Sequence, residues 1–151
     1  MASRVLIIGG GALGGVVAAR LSGSGQDVTV LDANEEHVRL MRSPGLEVDL
    51  VGERHVVPLD AVTSADALEG TFDFGLVTLK APFIKPALEP LAEAGLVETF
   101  VSLGNGLVQD RIADVVGEDR LLVGTVSWGA TNYGPGRVAQ TTIAPFSLGE
   151  L

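Results

Sequence analysis

The run from Val5 to Gly15, Val-Leu-Ile-Ile-Gly-Gly-Gly-Ala-Leu-Gly-Gly, restricts this chain more than any other stretch. Four consecutive apolar residues form a strand buried on both faces, and the glycines then turn the chain straight into a helix. The glycines fall in the pattern G-x-G-x-x-G at Gly9, Gly11 and Gly14. Such a turn gathers bare backbone N–H groups and a helix N-terminus at one point, where a pyrophosphate can sit. Gly9 permits the tight turn, Gly11 lets a ligand approach the backbone, and Gly14 lets the helix pack closely on the sheet. Gly10, Ala12 and Leu13 complete the backbone of that cradle. A glycine-rich turn packed only for fold reasons is the alternative in a chain with 20 glycines.

Context favours the cradle. Strands are expected at Arg4–Ile8, Asp27–Asp32, Phe72–Leu79, Thr99–Leu103 and Leu121–Val126. Helices are expected at Ala12–Leu21, at Glu35–Met41 (capped by Asn34) and at Leu107–Val116. Leu46–Leu50 and His55–Leu59 read as short strands around the Gly52-Glu53 turn, and Ser64–Leu68 as one or two helical turns. Phe83–Ala94 has helical spacing, but Pro86 and Pro90 predict a broken or late-starting helix. Beyond the turn Tyr133-Gly134-Pro135-Gly136, Arg137–Thr141 and Phe146–Leu148 read as a hairpin. The alternation predicts an α/β fold: a Rossmann-type, doubly wound, mainly parallel sheet with a C-terminal antiparallel hairpin. Residues 1–151 form one dinucleotide-binding domain on this reading.

Composition removes other classes. The net charge is −9 and no basic run exists, so nucleic acid and anionic membranes are poor partners. The absence of cysteine excludes disulfides, Cys-ligated zinc, iron–sulfur clusters and a thiol nucleophile; it fits a reducing, cytoplasmic setting. His37 and His55 are the only histidines, too few for a histidine metal cluster. The uncharged stretch Val5–Ala19 superficially resembles a secretory signal, but its five glycines would weaken an apolar helix. It is also too short and glycine-rich to span a bilayer.

Asp32 closes the second strand, 18 residues after Gly14. A carboxylate there accepts hydrogen bonds from the adenosine ribose hydroxyls and repels a 2′-phosphate. Ala33 beside it brings no positive charge, so these residues favour NAD(H) over NADP(H). Capping a helix is the alternative role for Asp32. Arg39 and Arg42 are within reach of an adenosine phosphate or are simply solvated. Two further strand ends carry unusual residues, in the place where ligands of open α/β sheets bind. Lys80, one of only two lysines, ends Thr78-Leu79-Lys80 and either contacts cofactor or substrate or leaves the sheet for solvent. Asn105, in Gly104-Asn105-Gly106, either offers an amide at the nicotinamide end or only makes a turn.

These residues resemble the N-terminal half of the ketopantoate reductases (2-dehydropantoate 2-reductases). The resemblance runs along nearly the whole chain. It rests on Gly9 to Gly14, on Leu76-Val77-Thr78-Leu79-Lys80, on Asn105-Gly106-Leu107, and on Gly129-Ala130-Thr131 ahead of Gly134-Pro135-Gly136. It implies reduction of a 2-oxo acid, ketopantoate, to pantoate with NADPH, on the route to pantothenate and coenzyme A. It implies pyrophosphate binding by Gly9, Gly11 and Gly14. Lys80 would line the cleft between cofactor and substrate, and Asn105 would stand at the substrate end, so both are the candidate catalytic residues. Asp32-Ala33 departs from the family arginine that holds a 2′-phosphate, Phe83 stands where a glutamine is usual, and Gly104 precedes the asparagine where glutamine is frequent. The resemblance further implies a helical substrate domain after Leu151, which would supply the general acid, so the chain alone is expected to bind cofactor with little turnover. A non-catalytic NAD-sensing module is the rival reading. Trp128 is expected in the core or on a covered apolar face, and an exposed patch there would favour a homodimer.

Overall fold

The computed structural model describes residues 2–104 and 107–150. Strand β1 (Arg4–Ile8) is an interior strand of a seven-stranded sheet. Its alternating side chains feed two cores: Leu6 and Ile8 on one face, Val5 and Ile7 on the other. All four are essentially buried, which is why the strand reads as a continuous apolar run rather than an alternating one. On one side β1 pairs in parallel with β2 (Asp27–Leu31), which pairs with β5 (Asp60–Val62). On the other it pairs with β6 (Phe72–Val77), followed in parallel by β7 (Val97–Ser102) and β8 (Leu121–Val126). Strand β11 (Phe146–Glu150) adds antiparallel to β8.

Helices cover both faces of this sheet. Helix α3 (Ala81–Glu93) and helix α4 (Gln109–Val116) contribute Ile84, Leu88, Leu91, Ile112 and Val116 to the core that holds Leu6 and Ile8. Helix α1 (Ala12–Gly23) contributes Val16, Ala18 and Ala19 to the opposite core. Over α1 lies a second, four-stranded sheet in the order β4-β3-β10-β9. These strands are β3 (Leu46–Leu50), β4 (Glu53–Val57), β9 (Ala130–Asn132) and β10 (Arg137–Gln140). Helix α1 is thus enclosed between two sheets, and its glycines serve both. A methyl group at Gly14 would lie 1.8 Å from the Gly9 carbonyl oxygen, and one at Gly15 would lie 3.1 Å from Val138 of β10. A helix closed in on two sides carries no clean apolar stripe, which is what its sequence shows. Arg20 ties its far end to the second sheet through a 2.7 Å hydrogen bond to Gln140.

The fold class expected from the sequence is the one observed, a mainly parallel sheet with antiparallel strand pairing near the C-terminus. The pairing partners differ from those expected. Arg137–Gln140 and Phe146–Glu150 both form strands but in different sheets, so they do not make a hairpin with each other. The hairpin is β9–β10, closed by Tyr133 to Gly136, and β10 also runs parallel to β3. Helix α3 is continuous through both prolines. Pro82, Pro86 and Pro90 recur every four residues along one exposed stripe, so the buried face of Ile84, Leu88 and Leu91 is left undisturbed. Helix α2 (Glu35–Leu40) stops one residue short of the expected end and gives way to a wide turn over Met41–Gly45.

Candidate functional site

The glycine loop sits at the carboxyl end of β1, between the ends of β2 and β6. Each of its first two peptide units is held by side chains. The Gly9 carbonyl accepts the Thr78 hydroxyl at 2.6 Å, and the Gly10 N–H donates to Asp32 Oδ2 at 2.8 Å. The Gly10 carbonyl faces His37 Nε2 from the next layer. Gly9 itself has φ +103, and a side chain there would strike Leu79 at 2.8 Å, so glycine is needed for both conformation and space.

Beyond the two held units the loop is open. A methyl group at Gly11 would meet nothing within 4 Å. Gly11 is the N-cap residue of α1 and supplies no side-chain cap, so the first-turn N–H groups, at Ala12, Leu13 and Gly14, have no capping oxygen. Backbone donors, the positive end of a twelve-residue helix and an unfilled position above Gly11 together fit an anionic diphosphate.

A crevice of about 610 Å³ runs from the carboxyl ends of β1 and β2 to α3. Ile8, Leu31, Leu79, Phe83, Pro86 and Pro90 give it mostly apolar walls. Asp32 is the charged residue among its described lining, and Asn34, Thr63 and Ser64 are the polar ones. An apolar slot of this size with one carboxylate suits a planar base and its ribose. Asp32 is already engaged by two backbone donors, Gly10 N–H on Oδ2 and Asn34 N–H at 2.9 Å on Oδ1. A carboxylate has about four lone-pair positions, so capacity for ribose hydroxyls remains. Arg42 lies away from this crevice, in a shallow polar depression with Arg4 and Asp60.

Lys80 stands at the N-terminus of α3 with its side chain exposed, outside the apolar crevice lining. Among the described residues it has no ion-pair partner. Asn105 lies outside the described residues. Trp128 is half-buried and lines an apolar groove of about 410 Å³ with Leu76, Val101 and Leu122, on the same sheet face as α1. Among the described residues no cluster of three metal-binding side chains occurs, and no helix is long and apolar enough to cross a membrane.

Two residues of the loop's support were not identified from the sequence. In the sequence Thr78 is only part of a strand end; in the fold its hydroxyl holds the Gly9 carbonyl. His37 carried no signal, because one of its partners, Gly136, lies 99 residues away.

The ketopantoate reductase PanE/ApbA family matches residues 5–151. The chain is 30% identical over 149 residues to the 2-dehydropantoate 2-reductase of Halobacterium salinarum, covering 95% of this chain and 49% of that protein. Among solved structures, 2-dehydropantoate 2-reductase from Geobacter metallireducens superposes with a TM-score of 0.83 at 28% identity, over 97% of this chain and 49% of that one. D-mandelate dehydrogenase, solved with NADH and anilino(oxo)acetate, superposes with a TM-score of 0.84 at 25% identity, over 96% and 47%. The chain spans about half or less of the length of these relatives. With this fold, this glycine loop and a match along nearly its whole length, the chain belongs to the ketopantoate reductase family.

Proposed function

We propose that this chain is the nicotinamide-dinucleotide-binding half of a 2-oxo acid reductase that converts ketopantoate, or a close 2-oxo acid, to its 2-hydroxy acid. The observation that carries the reading is the open position above Gly11 beside the uncapped N-terminus of α1. The relatives support the reaction class, since 2-dehydropantoate is a 2-oxo acid and mandelate a 2-hydroxy acid.

When bound, the dihydronicotinamide supplies hydride to the substrate carbonyl carbon. The N–H groups of Gly11, Ala12, Leu13 and Gly14 hold the diphosphate, with Gly9 and Gly10 shaping the turn. Asp32 accepts the adenosine ribose hydroxyls. Lys80 and Asn105 serve the substrate end, the lysine as a cation for the substrate carboxylate and the asparagine as a hydrogen-bonding amide. Hydride transfer leaves an alkoxide, and a positioned proton donor is worth ~10²–10⁴ in rate. We assign that donor, and most of the substrate selectivity, to a further helical domain, as the family resemblance implies; relatives about twice as long as this chain support the assignment. On its own the chain binds cofactor and turns over slowly.

NAD(H) is the preferred cofactor on this reading, although the family resemblance implies NADP(H). Two observations support NAD(H): Asp32 and Ala33 line the crevice, and no cation is among its described lining. Calorimetric titration of the chain with each dinucleotide is the test. NADH binding more tightly than NADPH supports the assignment, the reverse order overturns the selectivity, and no binding of either overturns the cofactor role.

A further inference from the structure

Among the described residues His37 is one of three buried polar side chains, and the reaction described above makes no use of it. Its two ring nitrogens face two backbone groups from different parts of the fold. Nδ1 accepts the Gly136 N–H at 2.8 Å, at the turn of the β9–β10 hairpin. Nε2 faces the Gly10 carbonyl, in the glycine loop. A backbone N–H only donates and a carbonyl only accepts, so the ring must be neutral with its hydrogen on Nε2. The second sheet thereby selects the tautomer that donates to the loop.

A trans peptide unit points its C=O and N–H in opposite directions. Holding the Gly10 carbonyl toward His37 therefore turns the Gly11 N–H away from His37. Among the described residues no acceptor takes that N–H. The preceding unit is fixed at both ends by Thr78 and Asp32. The Gly10–Gly11 unit is fixed at one end, and His37 is what fixes it. Glycine on both sides leaves few steric limits on how this unit can rotate.

We propose that His37 is a positioning residue for the dinucleotide cradle: it transmits the placement of the β9–β10 hairpin to the Gly10–Gly11 peptide and so presets the Gly11 N–H for a diphosphate. The idea rests on the cofactor reading above for its ligand, while the geometric link can be measured without one.

Two substitutions separate the two bonds. His37→Gln places an amide N–H near the position of Nε2, so it keeps the donor to the loop and loses the acceptor for Gly136. His37→Asn places an amide oxygen near Nδ1, so it keeps the hairpin bond and loses the loop donor. Both should lower the melting temperature. The proposal expects NADH affinity, measured by calorimetry, to fall about tenfold in His37→Asn, the loss of one aligned hydrogen bond, and to change less than about threefold in His37→Gln. Equal losses in both variants, or affinities that simply follow the melting temperatures, would overturn it.

Nitrogen-15 spectra of the wild-type chain give a second reading that needs no variant to fold. They should show Nε2 protonated and Nδ1 bare, and a ring protonated on Nδ1 would refute the link. If the wild type binds neither NADH nor NADPH, the cofactor reading fails. The positioning role is then judged from the Gly11 amide resonance, which should shift in His37→Asn and stay near its wild-type position in His37→Gln.

Discussion

Gly11 and Gly14 lie three residues apart, and added methyl groups at these positions meet opposite surroundings. At Gly14 the added carbon would lie 1.8 Å from a backbone oxygen, so the helix must move off the loop. Gly14→Ala should cost about 3 kcal/mol in urea denaturation. At Gly11 the added carbon meets nothing, so Gly11→Ala should leave stability within about 0.5 kcal/mol. The same methyl group would occupy the space proposed for a diphosphate, so NADH affinity in that variant should fall by at least about tenfold in calorimetry. Ser102 is a third case. Its hydroxyl is fully buried and has no hydrogen-bond partner among the described residues. Ser102→Ala removes that desolvation cost and should raise stability by about 1 kcal/mol, read from the shift of the denaturation midpoint. The G-x-G-x-x-G pattern was visible in the sequence, because its spacing is read over six consecutive residues. The roles of Thr78 and His37 were not, because their partners come from other strands.

At the scale of elements, local signals placed most helices and strands within a residue or two. The Asn34 cap of α2 is an example: its side chain accepts the His37 N–H at 3.0 Å, as its place before Glu35 and Glu36 suggested. Asn34→Ala should cost about 1 kcal/mol in thermal or urea unfolding. Local signals failed where the rule they used concerns a face rather than a residue. Two prolines within Phe83–Ala94 suggested a break, yet α3 runs through both, with the prolines on its exposed stripe and Ile84, Leu88 and Leu91 on its buried face. The pairing of Arg137–Gln140 failed for a related reason. Neighbouring strands in sequence usually pair, and β10 does pair with β9, but its other neighbour is the distant β3 of the sheet over α1, while β11 joins β8.

For the molecule as a whole, the two sheets with α1 between them make the glycine loop part of one packed stack. A ligand that binds this folded stack and not the unfolded chain stabilises it by mass action. At about a hundred times its dissociation constant NADH should add about 2.7 kcal/mol, visible as a rise of several degrees in the melting temperature. NADPH at the same concentration should give a smaller rise, because Asp32 and the acidic chain oppose a further phosphate. A larger rise with NADPH would place its 2′-phosphate against cations outside the described crevice lining.

Local pattern alone was enough for the α/β alternation, the turn at Gly9–Gly14 and the acid at the end of β2. Strand burial, helix periodicity and glycine conformation are short-range properties, legible over a few residues. Only the folded chain showed which strands share a sheet, that a second sheet closes over α1, and that a histidine from α2 reaches both the loop and a turn 99 residues away. Those facts depend on long-range pairing, which is chosen by competition among whole surfaces and leaves no periodic mark on the sequence.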